Sequence, residues 1–190
     1  MQHFYRIAAG CATDLLCAAL WRQPALWNQY TLRTTHPEAP HKDVSDIWLR
    51  FQDLTRFEQT GNAASLIDEH ESINYPAWYA LPQAWPLIFD LMRYVQGERL
   101  GRVLLTRLPP GGHITAHVDG GAHAAYYDRY HLVLQSAEPC SFRTGDEVVH
   151  MAPGECWWFN NAVEHEVLNT SAIDRIHLIV DIRTMQGPRR

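Results

Sequence analysis

At 190 residues, with 46% hydrophobic and 11% aromatic content, the chain is long enough to build its own core and too apolar for extensive disorder. The length predicts one domain over 1–190, in which a mixed helical and strand segment, 1–100, packs on a β-rich core, 101–183. A formal net charge of -5 and no dense Lys/Arg run leave no electrostatic footprint for nucleic acid, and no apolar run approaches the ~20 residues a membrane helix needs. Cys11, Cys17, Cys140 and Cys156 have neither CxxC spacing nor small-scaffold density, which predicts buried free thiols in a cytoplasmic protein. Arg6 ahead of the apolar stretch from Ile7 to Trp21 has the outline of a signal peptide, but Asp14 inside it and no small-x-small cleavage site argue against one.

In chain order, Thr13 or Asp14 caps a short helix through Leu15, Leu16, Ala19 and Leu20, which Pro24 ends. Residues 31–43, with His36, Pro37, Pro40 and His41, read as a loop. Asp46 to Phe51 is bulky enough for a strand, and Trp85, Ile88, Phe89, Met92 and Val95 fall at helical spacing over 83–96, with Gly97 as the stop. From Gly101 the character changes. Short β runs at 101–108, 113–118, 129–135, 139–144, 147–151, 156–160, 165–169 and 175–182 are separated by Pro109-Pro110-Gly111-Gly112, Gly120-Gly121, Thr144-Gly145-Asp146 and Pro153-Gly154. Eight strands at that interval predict a mainly β fold with N-terminal helices, a double-sheet jelly roll.

The chemistry-bearing residues lie in this half. Residues two apart on a strand face the same way, so His117-Val118-Asp119 presents an imidazole and a carboxylate to one side. His165, about 46 positions later, supplies a second imidazole. Two histidines and one carboxylate on one face of an octahedral ion leave positions open for cosubstrate and oxygen, the ligand set of non-haem Fe(II) oxygenases. Arg175 is a cation suited to a bidentate carboxylate partner, although Asp174 beside it offers a surface ion pair instead.

At these residues the chain resembles the aspartyl/asparaginyl β-hydroxylase family of Fe(II)- and 2-oxoglutarate-dependent dioxygenases. The resemblance spans roughly 101–183 and rests on Pro110-Gly111 ahead of His117-x-Asp119, on Arg129-Tyr130-His131-Leu132, on Gly154 before Trp157-Trp158-Phe159, and on His165-Glu166-Val167 followed by Arg175-Ile176. It implies a double-stranded β-helix whose mouth holds the metal, with His117, Asp119 and His165 as iron ligands. It further implies Arg175, assisted by Thr106, as the partner of the distal 2-oxoglutarate carboxylate. Arg129 and His131 match the family's Arg-x-His pair, which contacts the cosubstrate or an acidic group of the substrate. Animal protein-hydroxylating members often have glycine where this chain has Asp119, so the sequence looks closer to bacterial members, and the carboxylate argues against a halogenase. Asn160-Asn161 replaces the family's acidic turn ahead of the distal histidine.

The resemblance implies hydroxylation of a C–H bond with Fe(II), 2-oxoglutarate and O2, releasing succinate and CO2. The expected substrate is an amino acid, peptide or other small acidic molecule, with neither nucleic acid nor membrane as partner. A non-catalytic metal-binding or sensor jelly roll and a zinc-dependent hydrolase are the alternatives. Among further residues, Arg50 and Tyr127 are candidates for substrate binding, and His177 and Trp158 for support behind the site. Arg50 could equally be a surface residue on its strand. His113 shares the face of His117 and could line the cavity, and 120–127 is either a flap over substrate or a solvent loop.

Overall fold

Side chains alternate between two destinations along the central strands, and that alternation builds the architecture. The computed structural model describes residues 2–35, 39–62 and 70–187. Its strands are β1 (Phe4–Ala8), β2 (Ser45–Phe51), β3 (Ile73–Asn74), β4 (Gly97–Leu108), β5 (His113–His117), β6 (Asp128–Gln135), β7 (Cys140–Thr144), β8 (Glu147–Val149), β9 (Cys156–Phe159), β10 (His165–Asn169) and β11 (Arg175–Thr184). They form a seven-stranded sheet, in the order β1-β9-β6-β11-β4-β2-β3, and a four-stranded sheet, β5-β10-β7-β8. All pairings are antiparallel. This is the expected double-stranded β-helix.

On the outer face of the larger sheet, Val103 and Leu105 of β4, Tyr130 and Leu132 of β6, Trp158 of β9 and Leu178 and Val180 of β11 pack against helices. Those helices are α1 (Asp14–Arg22), α4 (Pro76–Ala80) and α5 (Ala84–Tyr94), which contribute Leu16, Leu20, Trp78 and Ile88. Leu178 is fully buried in this layer, so Leu178→Ala would cost about 2–5 kcal/mol through lost burial and the cavity left behind. The inner face turns Phe4, Val133, Trp157 and Phe159 towards Ile114, Phe142 and Val167 of the smaller sheet. Three short helices, α2 (Leu32–Thr35), α3 (Thr55–Thr60) and α6 (Gly121–Tyr126), and a 3-10 turn at Pro24–Leu26 complete the described elements. No helix among the described residues is long and apolar enough to cross a membrane.

Some sequence expectations need correction. A strand not singled out in the sequence, β1, pairs with β9 and seats Phe4 between the sheets. The helix expected over 83–96 ends at Tyr94; Gln96 takes the left-handed conformation (φ 57°), and Gly97 already belongs to β4. A Cβ on Gly97 would come within 2.6 Å of the Ile182 side chain, so the glycine serves close packing rather than helix termination. The 31–43 loop contains α2, while His36 and Pro37 lie outside the described residues. The four cysteines are free, but only Cys140 and Cys156 are buried; Cys11 and Cys17 are half-exposed.

One buried side chain fixes how β5 leaves β4. Asn169, at the end of β10, donates its amide to the carbonyls of Leu108 (2.9 Å), Pro109 (3.1 Å) and Ile173 (2.9 Å). Its backbone exchanges hydrogen bonds with Gly111 and Gly112. The Pro-Pro-Gly-Gly turn is thereby tied to the strand that carries His165.

Candidate active site

The ladder between β5 and β10 places His165 directly opposite His117. Their rings lie 4.2 Å apart, centroid to centroid, at 56°. Each ring is oriented by its own strand: Nδ1 of His117 is 2.7 Å from the Thr115 carbonyl and Nδ1 of His165 is 3.0 Å from that of Val163. A carbonyl can only accept, so both Nδ1 atoms carry the proton and both Nε2 atoms keep a lone pair for a metal. Oδ1 of Asp119 lies 3.7 Å from His117 Nε2 and 3.9 Å from His165 Nε2, and one donor atom from each residue falls within 4.8 Å of the others. Burial presses the His165 imidazole down to about 4, so it stays neutral.

Asp119 reaches this position differently from the expected strand pairing. β5 ends at His117, and the Asp119 backbone is held by an N–H bond to the Asn161 carbonyl at 3.1 Å. Its second oxygen, Oδ2, accepts from Arg129 Nη1 at 2.7 Å and from Asn161 Nδ2 at 3.3 Å. The Asn160-Asn161 turn therefore supports the carboxylate without an acidic residue of its own. Burial works to raise the Asp119 carboxyl, but Arg129 and the two imidazoles outweigh it and hold it below the usual range.

Arg129 is itself anchored from behind. Its Nε and Nη2 donate to Asp181 Oδ1 and Oδ2 at 2.8 and 3.0 Å, and His123 of α6 meets Asp181 Oδ2 at 3.0 Å. Register makes this pairing, since Asp181 of β11 lies opposite Arg129 of β6. Burial alone would raise Asp181; Arg129 and His123 outweigh it and hold it far below the usual carboxylate range.

A second polar group lies further along the same inner face. Arg175 is 3% exposed and makes a bond from Nη2 to His177 Nδ1 at 3.0 Å, with its guanidinium 5.7 Å from the Phe142 ring centroid. Among the described residues no carboxylate bonds it. Burial pushes the guanidinium down to about 10. Opposite His177 in the β4–β11 ladder is Thr106, whose buried hydroxyl has no hydrogen-bond partner among the described residues. Nε2 of His131 and of His177 are likewise buried with no partner among them, while their Nδ1 atoms are 3.3 Å apart. Burial, followed by the charge of Arg175, holds both imidazoles well below their ordinary value.

These groups share one cavity with about 410 Å³ of empty space, counting its open mouth; Thr106, His117, Arg129, His131, His165 and Arg175 line it with Phe142 and Phe159. Arg33 and His41 line it too. Both come from the stretch expected to be a plain loop: Arg33 pairs with buried Asp46 at 2.9 Å, and the His41 ring lies 5.0 Å from that of His117. Tilted and edge-on imidazoles beside a buried cation that no described carboxylate compensates, with hydroxyl and imidazole atoms that have no partner among the described residues, suit a divalent metal and a dicarboxylate beside it.

A family model described as Aspartyl/Asparaginyl beta-hydroxylase matches residues 18–184. The chain belongs to that family. The beta-hydroxylase family match covers far more of the chain than its curated relatives do. A Rhizobium meliloti (strain 1021) L-proline cis-4-hydroxylase is 31% identical over 62 residues, 33% of this chain and 22% of that protein. A Streptomyces sp. L-proline cis-3-hydroxylase 2 is 40% identical over 63 residues, 33% of this chain and 21% of that protein. The chain thus spans about a fifth of the length of the curated relatives it matches. In fold it is similar to a 2OG-Fe(II) oxygenase family oxidoreductase from Burkholderia pseudomallei (TM-score 0.57, 18% identity, 98% of this chain and 96% of that one). It is also similar to a Pseudomonas putida prolyl-4-hydroxylase (TM-score 0.52, 16% identity, 97% and 94% covered).

Several residues expected around this beta-hydroxylase family site lie elsewhere. Arg50 points away from the cavity, donating to the carbonyls of Gly101 (3.3 Å) and Ser72 (2.8 Å) and to Asn74. Trp158 faces the helical layer, where its Nε1 donates to Asp128 at 2.8 Å, because neighbours on β9 alternate and the inner side belongs to Trp157 and Phe159. Tyr127 is buried with its hydroxyl on the His70 carbonyl at 2.5 Å. Arg129, expected to meet an acidic ligand, spends Nε, Nη1 and Nη2 on Asp119 and Asp181. The 120–127 stretch contains α6, which buries His123 on Asp181. His113 bonds Glu166 at 2.7 Å away from the cavity, and Asp174 lies 3.9 Å from Arg107 instead of pairing with Arg175.

Proposed function

We propose that the protein is an Fe(II)- and 2-oxoglutarate-dependent hydroxylase acting on a C–H bond of a small amino-acid-like substrate. The observation that carries this reading is Arg175, a buried guanidinium without a carboxylate partner among the described residues, beside a cluster of two imidazoles and a carboxylate. Isolated buried charge is costly, so such a group is kept where a ligand supplies the counter-charge.

His117, Asp119 and His165 would hold the iron through Nε2, Oδ1 and Nε2. Arg175, Thr106 and His131 would take the distal carboxylate of 2-oxoglutarate: the guanidinium provides charge and a donor fork, the Thr106 hydroxyl a second donor, and His131 Nε2 a polar contact. His177, held by Arg175, keeps the guanidinium aimed into the cavity. When bound, iron and cosubstrate supply oxygen activation coupled to conversion of 2-oxoglutarate to succinate and CO2. The chain itself contributes orientation, charge compensation and a dry wall of Phe142, Phe159 and Ile179 around the reacting centre.

Substrate would approach past Asp119, where a second cavity of about 440 Å³, mouth included, is lined by Arg33, Phe51, Arg102, Leu104, His123 and Arg129. Arg102 in its wall favours a substrate with an acid group, and the two L-proline hydroxylase relatives favour a free amino acid over a protein. The test is succinate release with Fe(II), 2-oxoglutarate, O2 and a panel of free L-amino acids, L-proline included, beside the same residues within blocked peptides. Release stimulated by a free amino acid supports the proposal. A folded, metal-binding protein that releases no succinate, coupled or uncoupled, overturns it in favour of a non-catalytic metal-binding module.

A further inference from the structure

We infer that Arg129 is a positioning residue for the metal carboxylate rather than a substrate anchor: held by Asp181, it captures Oδ2 of Asp119 so that only Oδ1 is presented to the metal. This rests on the metal-centre reading above.

A carboxylate can bind an ion through one oxygen or both, and the choice decides how many coordination positions remain. Here the two oxygens have different surroundings. Oδ1 lies 3.7 and 3.9 Å from the two imidazole Nε2 atoms, whereas Oδ2 accepts from Arg129 at 2.7 Å and Asn161 at 3.3 Å. A charge-assisted bond of 2.7 Å resists the rotation that would bring Oδ2 round to the metal. The guanidinium cannot follow such a rotation, because Asp181 grips Nε and Nη2 in the bidentate geometry that only a fork allows. Asp181 is fixed in turn by His123, with both side chains at most 2% exposed. A chain of groups thus runs from α6 through β11 and β6 to the metal ligand. The same contacts argue against a substrate role, since all three guanidinium nitrogens already have carboxylate partners.

The experiment loads metal-free protein with Mn(II) and measures water-proton relaxation, which counts exchangeable waters on the bound ion without requiring turnover. Three protein donors on an octahedral ion leave about three waters, and a carboxylate binding through both oxygens leaves about two. Arg129→Lys keeps the charge but cannot span both carboxylates. It should lower the relaxivity of bound Mn(II) by about one third, matching the loss of one water in three. Should Arg129→Lys fail to fold, the paired variant Arg129→Gln/Asp181→Asn removes both buried charges together and is expected to give the same drop. Unchanged hydration in either folded variant overturns the proposal and returns Arg129 to a ligand-binding role. Failure of the wild-type chain to bind Mn(II) in a manner abolished by Asp119→Ala would instead overturn the metal-centre reading, and this inference with it.

Discussion

His117 and His165 are mirror partners: opposite each other in one ladder, each turns Nδ1 back to the carbonyl two residues before it, at 2.7 and 3.0 Å, and so presents Nε2 to the same point. The backbone selects the metal-binding tautomer before any metal arrives. Replacing either histidine with alanine should weaken Mn(II) or Fe(II) binding by at least about 100-fold, the upper end of what losing even an outer partner costs. Titration calorimetry checks this, and near-native affinity in either variant would remove that histidine from the ligand set.

Arg175 sets stability against binding. With no counter-charge bonded to it among the described residues, Arg175→Met should leave the ligand-free protein at least as stable as wild type, since a buried charge is exchanged for a hydrophobe of similar length. The same variant should lose about 10- to 150-fold in 2-oxoglutarate affinity, the equivalent of 1.5–3 kcal/mol for charge-assisted bonds. Thermal unfolding with and without 2-oxoglutarate reads both effects. A large destabilisation of the ligand-free protein would mean that Arg175 is structural.

Thr106→Val is the milder companion. The hydroxyl is buried with no partner among the described residues, so its removal should not destabilise the ligand-free protein, whereas 2-oxoglutarate should bind about 2- to 10-fold more weakly, as expected for one ordinary hydrogen bond. Unchanged affinity would exclude the hydroxyl from the cosubstrate site.

Arg50→Ala provides the contrast. Its bonds go to Gly101, Ser72 and Asn74, so stability should fall by about 1–3 kcal/mol while affinity for Fe(II) and 2-oxoglutarate stays unchanged. A selective loss of 2-oxoglutarate affinity would require Arg50 to reach the cavity.

Buried neutral histidines also give the ligand-free protein an acid sensitivity. Burial and Arg175 hold His131 and His177 well below their ordinary 6.5, so unfolding lets each take up a proton once the pH drops under that value. The stability they contribute is complete above pH 6.5 and declines as the pH falls, by about 1.4 kcal/mol per pH unit for each histidine. Urea unfolding of metal-free protein between pH 5 and 8 measures the slope. Replacing His177 with glutamine should flatten it, and a slope that is flat in wild type would contradict neutral burial of the pair.

The strands and the chemistry-bearing positions on them were legible because punctuation and alternation are local properties. Pro-Pro-Gly-Gly, Gly-Gly, Thr-Gly-Asp and Pro-Gly separate the runs, and a period of two sends Thr106, His131, Arg175 and His177 to one face. What stayed hidden depends on partners brought in from a distance. Whether Arg129 greets a ligand or an internal carboxylate is decided by Asp181 across the ladder, which residue type alone does not reveal. Arg33 and His41 sit in a Pro- and His-containing stretch without periodicity, and only tertiary packing brings them to the cavity. Trp158 was misassigned because both faces of β9 are buried, so hydrophobicity could not say which tryptophan faced inward. A signal for Asn161 did exist: an asparagine can give the Asp119 carboxylate a donor where an acidic side chain cannot.

Titrating metal-free protein with Fe(II) and then 2-oxoglutarate under anaerobic conditions, while recording the visible spectrum, decides whether metal and cosubstrate meet at this site. A metal-to-ligand charge-transfer band is expected that saturates with 2-oxoglutarate and is absent from Asp119→Ala and strongly weakened in Arg175→Ala. Folded wild-type protein that binds Fe(II) yet develops no band on adding 2-oxoglutarate would contradict the proposed function.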